Sequence, residues 1–191
     1  MVKGVYDRRQ QMAFFYALQP RSASLALLWL VGCSTGYRVS DLLKMTPMDV
    51  ANGRAVIIES KTGKFRAMKL PPRVTEAVHV HILTNELDPM DPLFFGRDRA
   101  ASVTRQHAHR VFREIGLQLG LDAIGTHSMR KTFAWNVLLA TKSFSVVQDA
   151  LNHAYLSTTF LYLIDGLTAA LPKPGRLGIP PSSIIAVASP T

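Results

Sequence analysis

One strand, turn and strand pattern, RAVIIES followed by KTG and then FRAMKL, is set into a chain whose other periodic segments are all helical. Gly63 supplies the turn, which puts Lys61 at the hairpin tip or just before it. Apolar residues dominate about 7–18 and 22–34; Gly36 ends the second run, and Ser40 is placed to cap a short helix reading DLLKM. Beyond Pro71 and Pro72, helices are expected near 73–85, 102–119, 127–140, 145–151 and 157–166, with Ser102 and Ser157 as N-caps. The expected fold class is mainly α with one small antiparallel sheet (α+β). A single domain over 1–171 is followed by a tail over 172–191 in which prolines recur and a short SSIIAVA stretch is apolar enough to dock.

With 191 residues, 48% of them hydrophobic, the chain has enough material for one domain with its own core. Lys and Arg outnumber Asp and Glu by 22 to 13, giving a formal charge of +9, which favours a polyanionic partner such as nucleic acid. Cys33 is the single cysteine, so no internal disulfide framework exists and a reducing, cytoplasmic compartment is expected. It closes the run LALLWLVGC, which is much shorter than the roughly 20 residues of a membrane-spanning helix. Neither membrane insertion nor a signal peptide is expected.

Four patches carry candidate chemistry. In TGYRVSDLL, Arg38 follows a glycine-bounded bend; taken alone it reads as a surface ion pair to Asp41 or Asp49. Lys61 alone reads as a solubilising hairpin lysine. In THSMRKTF, His127 and Arg130 lie three apart and share a helix face, with Lys131 adjacent; the plain reading is a solvated basic helix start. Metal binding ranks low, because no cysteine or paired carboxylate lies near His127 or His153 in sequence. In LNHAYLSTTFLYL, Tyr162 comes three after Thr159 on a rigid helix, and Tyr155, in the break between two helices, reads as core filling.

Taken in order, these patches resemble the tyrosine recombinase (phage integrase) family over roughly residues 5–165. GYRVSDLL resembles the family's first arginine box, SKTGKFRAMKLP its lysine hairpin, HSMRKTFA its second box, and LNHAYLSTTFLYL its LGH-x-x-x-x-TT-x-x-Y ending. The resemblance implies a recombinase catalytic domain whose active site is Arg38, Lys61, His127, Arg130, His153 and Tyr162. Asn152 stands where the family has glycine, and Lys131 where histidine is frequent. No N-terminal domain that clamps the far face of DNA is expected in a chain of this length, so it resembles either an excised catalytic domain or a naturally short recombinase of the promoter-inverting kind.

The implied chemistry suits these residue types. Two arginines pair the nonbridging oxygens of a pentavalent phosphate, so no metal, ATP or other cofactor is called for. His127 is the candidate base for Tyr162, Lys61 the acid for the leaving 5′ oxygen, and His153 a hydrogen-bond donor to phosphate. The helix in SVTRQHAHRVFREIG crowds Arg105, Gln106, His109, Arg110 and Arg113 in one region, with Val103, Val111, Phe112 and Ile115 as its buried side. An ordinary amphipathic surface helix accounts for this nearly as well. The family places a helix here in the major groove, which implies DNA contacts from Arg105, Gln106, His109 and Arg110, with Lys131 beside them, and binding that weakens with salt.

The resemblance implies double-stranded DNA carrying a specific site as the partner, with four copies in a ring on two sites; the C-terminal tail reads equally as the segment exchanged between those copies or as a disordered end. Two further readings stay open: a type IB topoisomerase-like enzyme that relaxes supercoils, and a DNA-binding regulator that kept the fold but lost cleavage.

Overall fold

The computed structural model describes residues 2–97 and 99–170, so the Pro-rich tail and its SSIIAVA stretch lie outside the described residues. The chain runs α1 (Arg8–Leu18), α2 (Ala23–Thr35), α3 (Val39–Leu42), a 3-10 segment (Pro47–Gly53), β1 (Arg54–Ile58), β2 (Phe65–Lys69), α4 (Pro72–Thr84), α5 (Arg105–Gln118), α6 (His127–Thr141), α7 (Phe144–Leu151) and α8 (Leu156–Ala170). It is mainly helical with one two-stranded antiparallel sheet, as the periodicity predicts. None of its helices is long and apolar enough to cross a membrane among the described residues.

α2 is apolar nearly all round, and a helix of that kind has no solvent face to keep. It lies in the middle of the fold against α1, α4 and α6, with Leu25, Leu28 and Val31 fully enclosed. Trp29 of α2 meets Phe14 of α1 at a ring-centroid distance of 4.2 Å and Phe112 of α5 at 5.7 Å. A second apolar cluster joins α6, α7 and α8 through Phe133, Trp135, Leu138, Val147, Leu151 and Leu163. Each buried aromatic or leucine here contributes about 1.5–3 kcal/mol by leaving water.

The end of α2 sets the frame of the site. Gly36 takes a left-handed conformation (φ 65°), and a Cβ there would stand 2.2 Å from the Phe133 ring of α6. Glycine thus lets α2 stop and lets α6 approach its C-terminus.

Several helix starts differ from the sequence reading. Arg38, not Ser40, is the residue before α3, and Ser40 lies inside it. α5 begins behind Thr104, whose hydroxyl accepts from the His107 amide at 3.1 Å, while Ser102 donates instead to the Phe94 carbonyl at 3.0 Å. α8 already starts at Leu156, so Ser157 is inside its first turn. The 3-10 segment has no apolar period to announce it; Thr46 and Asp49 close it, the Thr46 amide donating to the Asp49 carboxylate at 2.8 Å.

Candidate active site

Arg38, Arg130, His153 and Tyr162 converge where the end of α2, the start of α6 and the α7–α8 turn meet. Arg130 is 5% exposed, and its guanidinium donates from Nη1 to the Gly36 carbonyl and from Nη2 to the Leu151 carbonyl at 2.6 Å. Those carbonyls end α2 and α7, where helices leave acceptors unpaired, so one side chain fastens both helix ends. Burial depresses the Arg130 pKa first, and Arg38 and Arg66 add to that.

Arg38 does not pair with Asp41 or Asp49. Asp49 is taken up by Thr46, and Asp41 accepts from the Ser60 amide at 3.1 Å. Arg38 Nη1 lies instead 3.1 Å from Oε2 of Glu59, a carboxylate only 1% exposed. The approach lacks hydrogen-bond geometry, and Nη1 is buried without a hydrogen-bond partner among the described residues. Glu59 also accepts from Thr62 Oγ1 at 2.7 Å, Asn152 Nδ2 at 2.9 Å and Arg66 Nη1 at 3.1 Å. Burial pushes the Glu59 carboxyl up, but these donors, with Arg38, outweigh it and hold the pKa at about 2.

His153 sits in the turn after α7, its Nδ1 3.0 Å from the buried Thr159 hydroxyl and its ring edge-on to Tyr162 with centroids 5.5 Å apart. Burial, then the cations Arg130 and Arg38, bring its pKa down to about 4. Among the described residues the Tyr162 hydroxyl oxygen is buried with no hydrogen-bond partner. Burial pushes its pKa up to about 12, against the opposing pull of Arg130 and Arg38. The phenol is therefore protonated at neutral pH, surrounded by charge of the sign that stabilises its anion.

A histidine with a depressed folded pKa gives a signed prediction. Unfolded His153 titrates near 6.5, so between about pH 6.5 and 4 the unfolded chain binds the extra proton. The stability from neutral His153 is complete above that window and is lost as pH falls through it. Urea unfolding at about pH 7 and about pH 4.5 is expected to show wild type losing about 1–2 kcal/mol more than His153→Gln, after allowance for partial solvent screening. Equal losses would contradict this.

His127 is exposed at the start of α6 and has no hydrogen bond among the described residues. Partial burial lowers its pKa, followed by Arg105, Arg130, His109 and Lys131. Lys61 stands exposed on the β1–β2 loop, outside the buried cluster, with no hydrogen bond or ion pair among the described residues. Gly63, at φ 67°, makes the turn beside it.

Two sequence expectations change. Lys131 is not a free DNA-facing cation: it is 5% exposed, pairs with Asp165 of α8 at 2.7 Å, and stands 5.4 Å from the Tyr162 ring centroid. It follows buried Arg130 on a face of α6 that α8 covers. Tyr155 is 72% exposed and fills no core, because the α7–α8 turn carries it into solvent. On α5, Arg105, Gln106, His109 and Arg110 are exposed, with Arg110 engaged by Glu114 at 3.5 Å and by His107 at 3.0 Å; Val103, Val111, Phe112 and Ile115 are buried.

Sequence reasoning missed Glu59 and Arg66. Arg66 bridges β2 to α7 through the Ala150 carbonyl and lies 5.3 Å from the Tyr37 ring centroid. Its signal was faint: a lone acid at one end of the hairpin and a lone arginine across it. Asn152 is explained by its backbone: at φ 52° it takes a left-handed conformation that asparagine tolerates, which is why it can replace glycine there.

A family model described as the phage integrase family matches residues 7–165. The chain belongs to the phage integrase family. It is 31% identical over 137 residues to the probable integrase/recombinase YoeC of Bacillus subtilis, covering 71% of this chain and 75% of that protein. It is 30% identical to the tyrosine recombinase XerC of Rhizobium meliloti, over 74% of this chain but 45% of the relative, so the chain spans about half the length of such integrase-family proteins. In fold it is similar to the XerH site-specific recombinase solved with a palindromic difH substrate in a post-cleavage complex, with TM-score 0.69 and 23% identity over 88% of this chain and 52% of that one.

Proposed function

We propose that this integrase-family chain is a site-specific recombinase that cleaves and rejoins DNA through a 3′-phosphotyrosine bond at Tyr162, without metal or ATP. The observation that carries this reading is the convergence of Arg38, Arg130 and His153 on a tyrosine whose hydroxyl is buried and, among the described residues, unpartnered. Leaving such a group unsatisfied costs about 1–3 kcal/mol, a cost found at sites where a polar atom is reserved for chemistry.

In the proposed mechanism the scissile phosphate replaces Glu59 as the nearest anion to Arg38, and both guanidiniums hold its nonbridging oxygens. Their charge opposes what burial does to the phenol and stabilises the oxygens as the phosphate becomes pentavalent. His127, neutral at pH 7, accepts the Tyr162 proton. If Thr159 donates to His153 Nδ1, Nε2 carries the proton and donates to a phosphate oxygen. The Tyr162 oxygen bonds to phosphorus, the bond to the 5′ oxygen breaks, and Lys61 on the hairpin protonates that leaving oxygen. A 5′ hydroxyl from a second strand reverses the step. Because the phosphodiester bond energy is kept in the enzyme link, no nucleotide is consumed.

DNA is held across α5 by Arg105, Gln106, His109 and Arg110. XerH, solved on its DNA substrate, is the neighbour that supports this partner. Assembly as a homotetramer on two sites, with exchange of the tail beyond residue 171 and action on cytoplasmic DNA, completes the reading. The experiment is a nicked duplex that traps the cleaved strand, incubated in EDTA without nucleotide. A covalent protein–DNA adduct is expected; strict dependence on a divalent cation would contradict the mechanism.

A further inference from the structure

We propose that Glu59 is a positioning residue for the phosphate site and that Asn152 is the latch through which it ties the His153 turn to the lysine hairpin. This rests on the recombinase reading above and adds two residues to it.

Glu59 is nearly inaccessible, yet four chain segments send it a donor: Thr62 from the hairpin turn, Arg66 from β2, Asn152 from the end of α7 and Arg38 from the start of α3. Three of the four are neighbours of a proposed reacting group or are one themselves. Thr62 follows Lys61, Asn152 precedes His153, and Arg38 is a phosphate ligand. A single carboxylate therefore fixes the relative placement of three groups that lie far apart in sequence.

The four contacts are not equivalent. Thr62, Asn152 and Arg66 make hydrogen bonds, whereas Arg38 is held by charge at 3.1 Å with poor angles. Glu59 thus orients Arg38 without using up its N–H groups, which remain available to an incoming phosphate oxygen. Asn152 does more than occupy a left-handed position. Its amide donates to Glu59 and its oxygen accepts from Lys64 Nζ at 3.1 Å, so the end of α7 grips both sides of the hairpin. A glycine would take the same φ and make neither bond.

The test uses the full chain and a nicked duplex carrying the sequence that wild type selects from a random pool. At saturating DNA, the first-order rate of adduct formation is expected to fall about tenfold in Glu59→Gln and about threefold or more in Asn152→Gly, with Kd within about threefold. The double variant should be no slower than Glu59→Gln within about twofold, since the latch acts through the carboxylate. Thermal melts give the folded fraction against which rates are normalised. If Glu59→Gln does not fold, Asn152→Gly decides alone, because glycine keeps the turn. A folded variant with the wild-type rate, a loss confined to Kd, or independent effects in the double variant would overturn the proposal. Wild type forming no adduct on any selected sequence would instead overturn the recombinase reading beneath it.

Discussion

Tyr162→Phe abolishes covalent protein–DNA adducts and leaves DNA affinity within about twofold of wild type. The change deletes one oxygen atom, and that atom makes no hydrogen bond among the described residues. Removing an unsatisfied buried hydroxyl costs no interaction, so stability stays level or rises by up to about 1 kcal/mol. A lost adduct therefore reports lost chemistry, not lost structure. Tyr155→Phe is the control: that ring is 72% exposed, so adducts persist. Denaturing gels of a trapped cleavage reaction read both outcomes. Adducts that survive in Tyr162→Phe would move the nucleophile elsewhere.

Arg130→Ala has the second large effect, on two quantities at once. Its guanidinium is both a proposed ligand of the phosphate and the fastener of two helix ends. Truncation leaves the Gly36 and Leu151 carbonyls without their donor, with an expected stability loss of about 2–4 kcal/mol by urea unfolding. Adduct formation per folded molecule is expected to fall by about 10²–10³, the scale of one preorganised donor at a developing anion. Arg130→Lys separates the two roles: it keeps the charge but cannot span both carbonyls and a phosphate oxygen as a fork does. Its rate should fall further, relative to wild type, than its stability does. An unchanged rate in folded Arg130→Ala would remove this residue from the mechanism.

The elements that sequence reads well here are those with a strong period. α2 declares itself by an unbroken apolar run, α5 by its two-sided pattern, and the hairpin by alternation around KTG. Helix starts were less legible because serine and threonine crowd several of them, and which hydroxyl caps depends on where the chain turns: Thr104 directly precedes α5 and caps it, while the Ser102 hydroxyl is taken by the Phe94 carbonyl. Arg38, Arg130, His153 and Tyr162 were legible because they sit in ordered motifs, and the fold brings them together. The charge network was not legible. Asp41 and Asp49 are nearer to Arg38 in sequence than Glu59 is, yet a hairpin folding back on α3 decides the pairing. Lys131 likewise looked solvated, because nothing in its own helix tells that Asp165 of α8 covers it.

The central claim is a covalent bond from Tyr162 to a DNA 3′ phosphate, and isolating the trapped adduct tests it most directly. Protease digestion followed by mass spectrometry is expected to place the nucleotide on the peptide containing Tyr162. The freed strand should carry a 5′ hydroxyl that polynucleotide kinase can label without prior phosphatase treatment. A nucleotide on another residue, or a protein-linked 5′ end, would contradict the account.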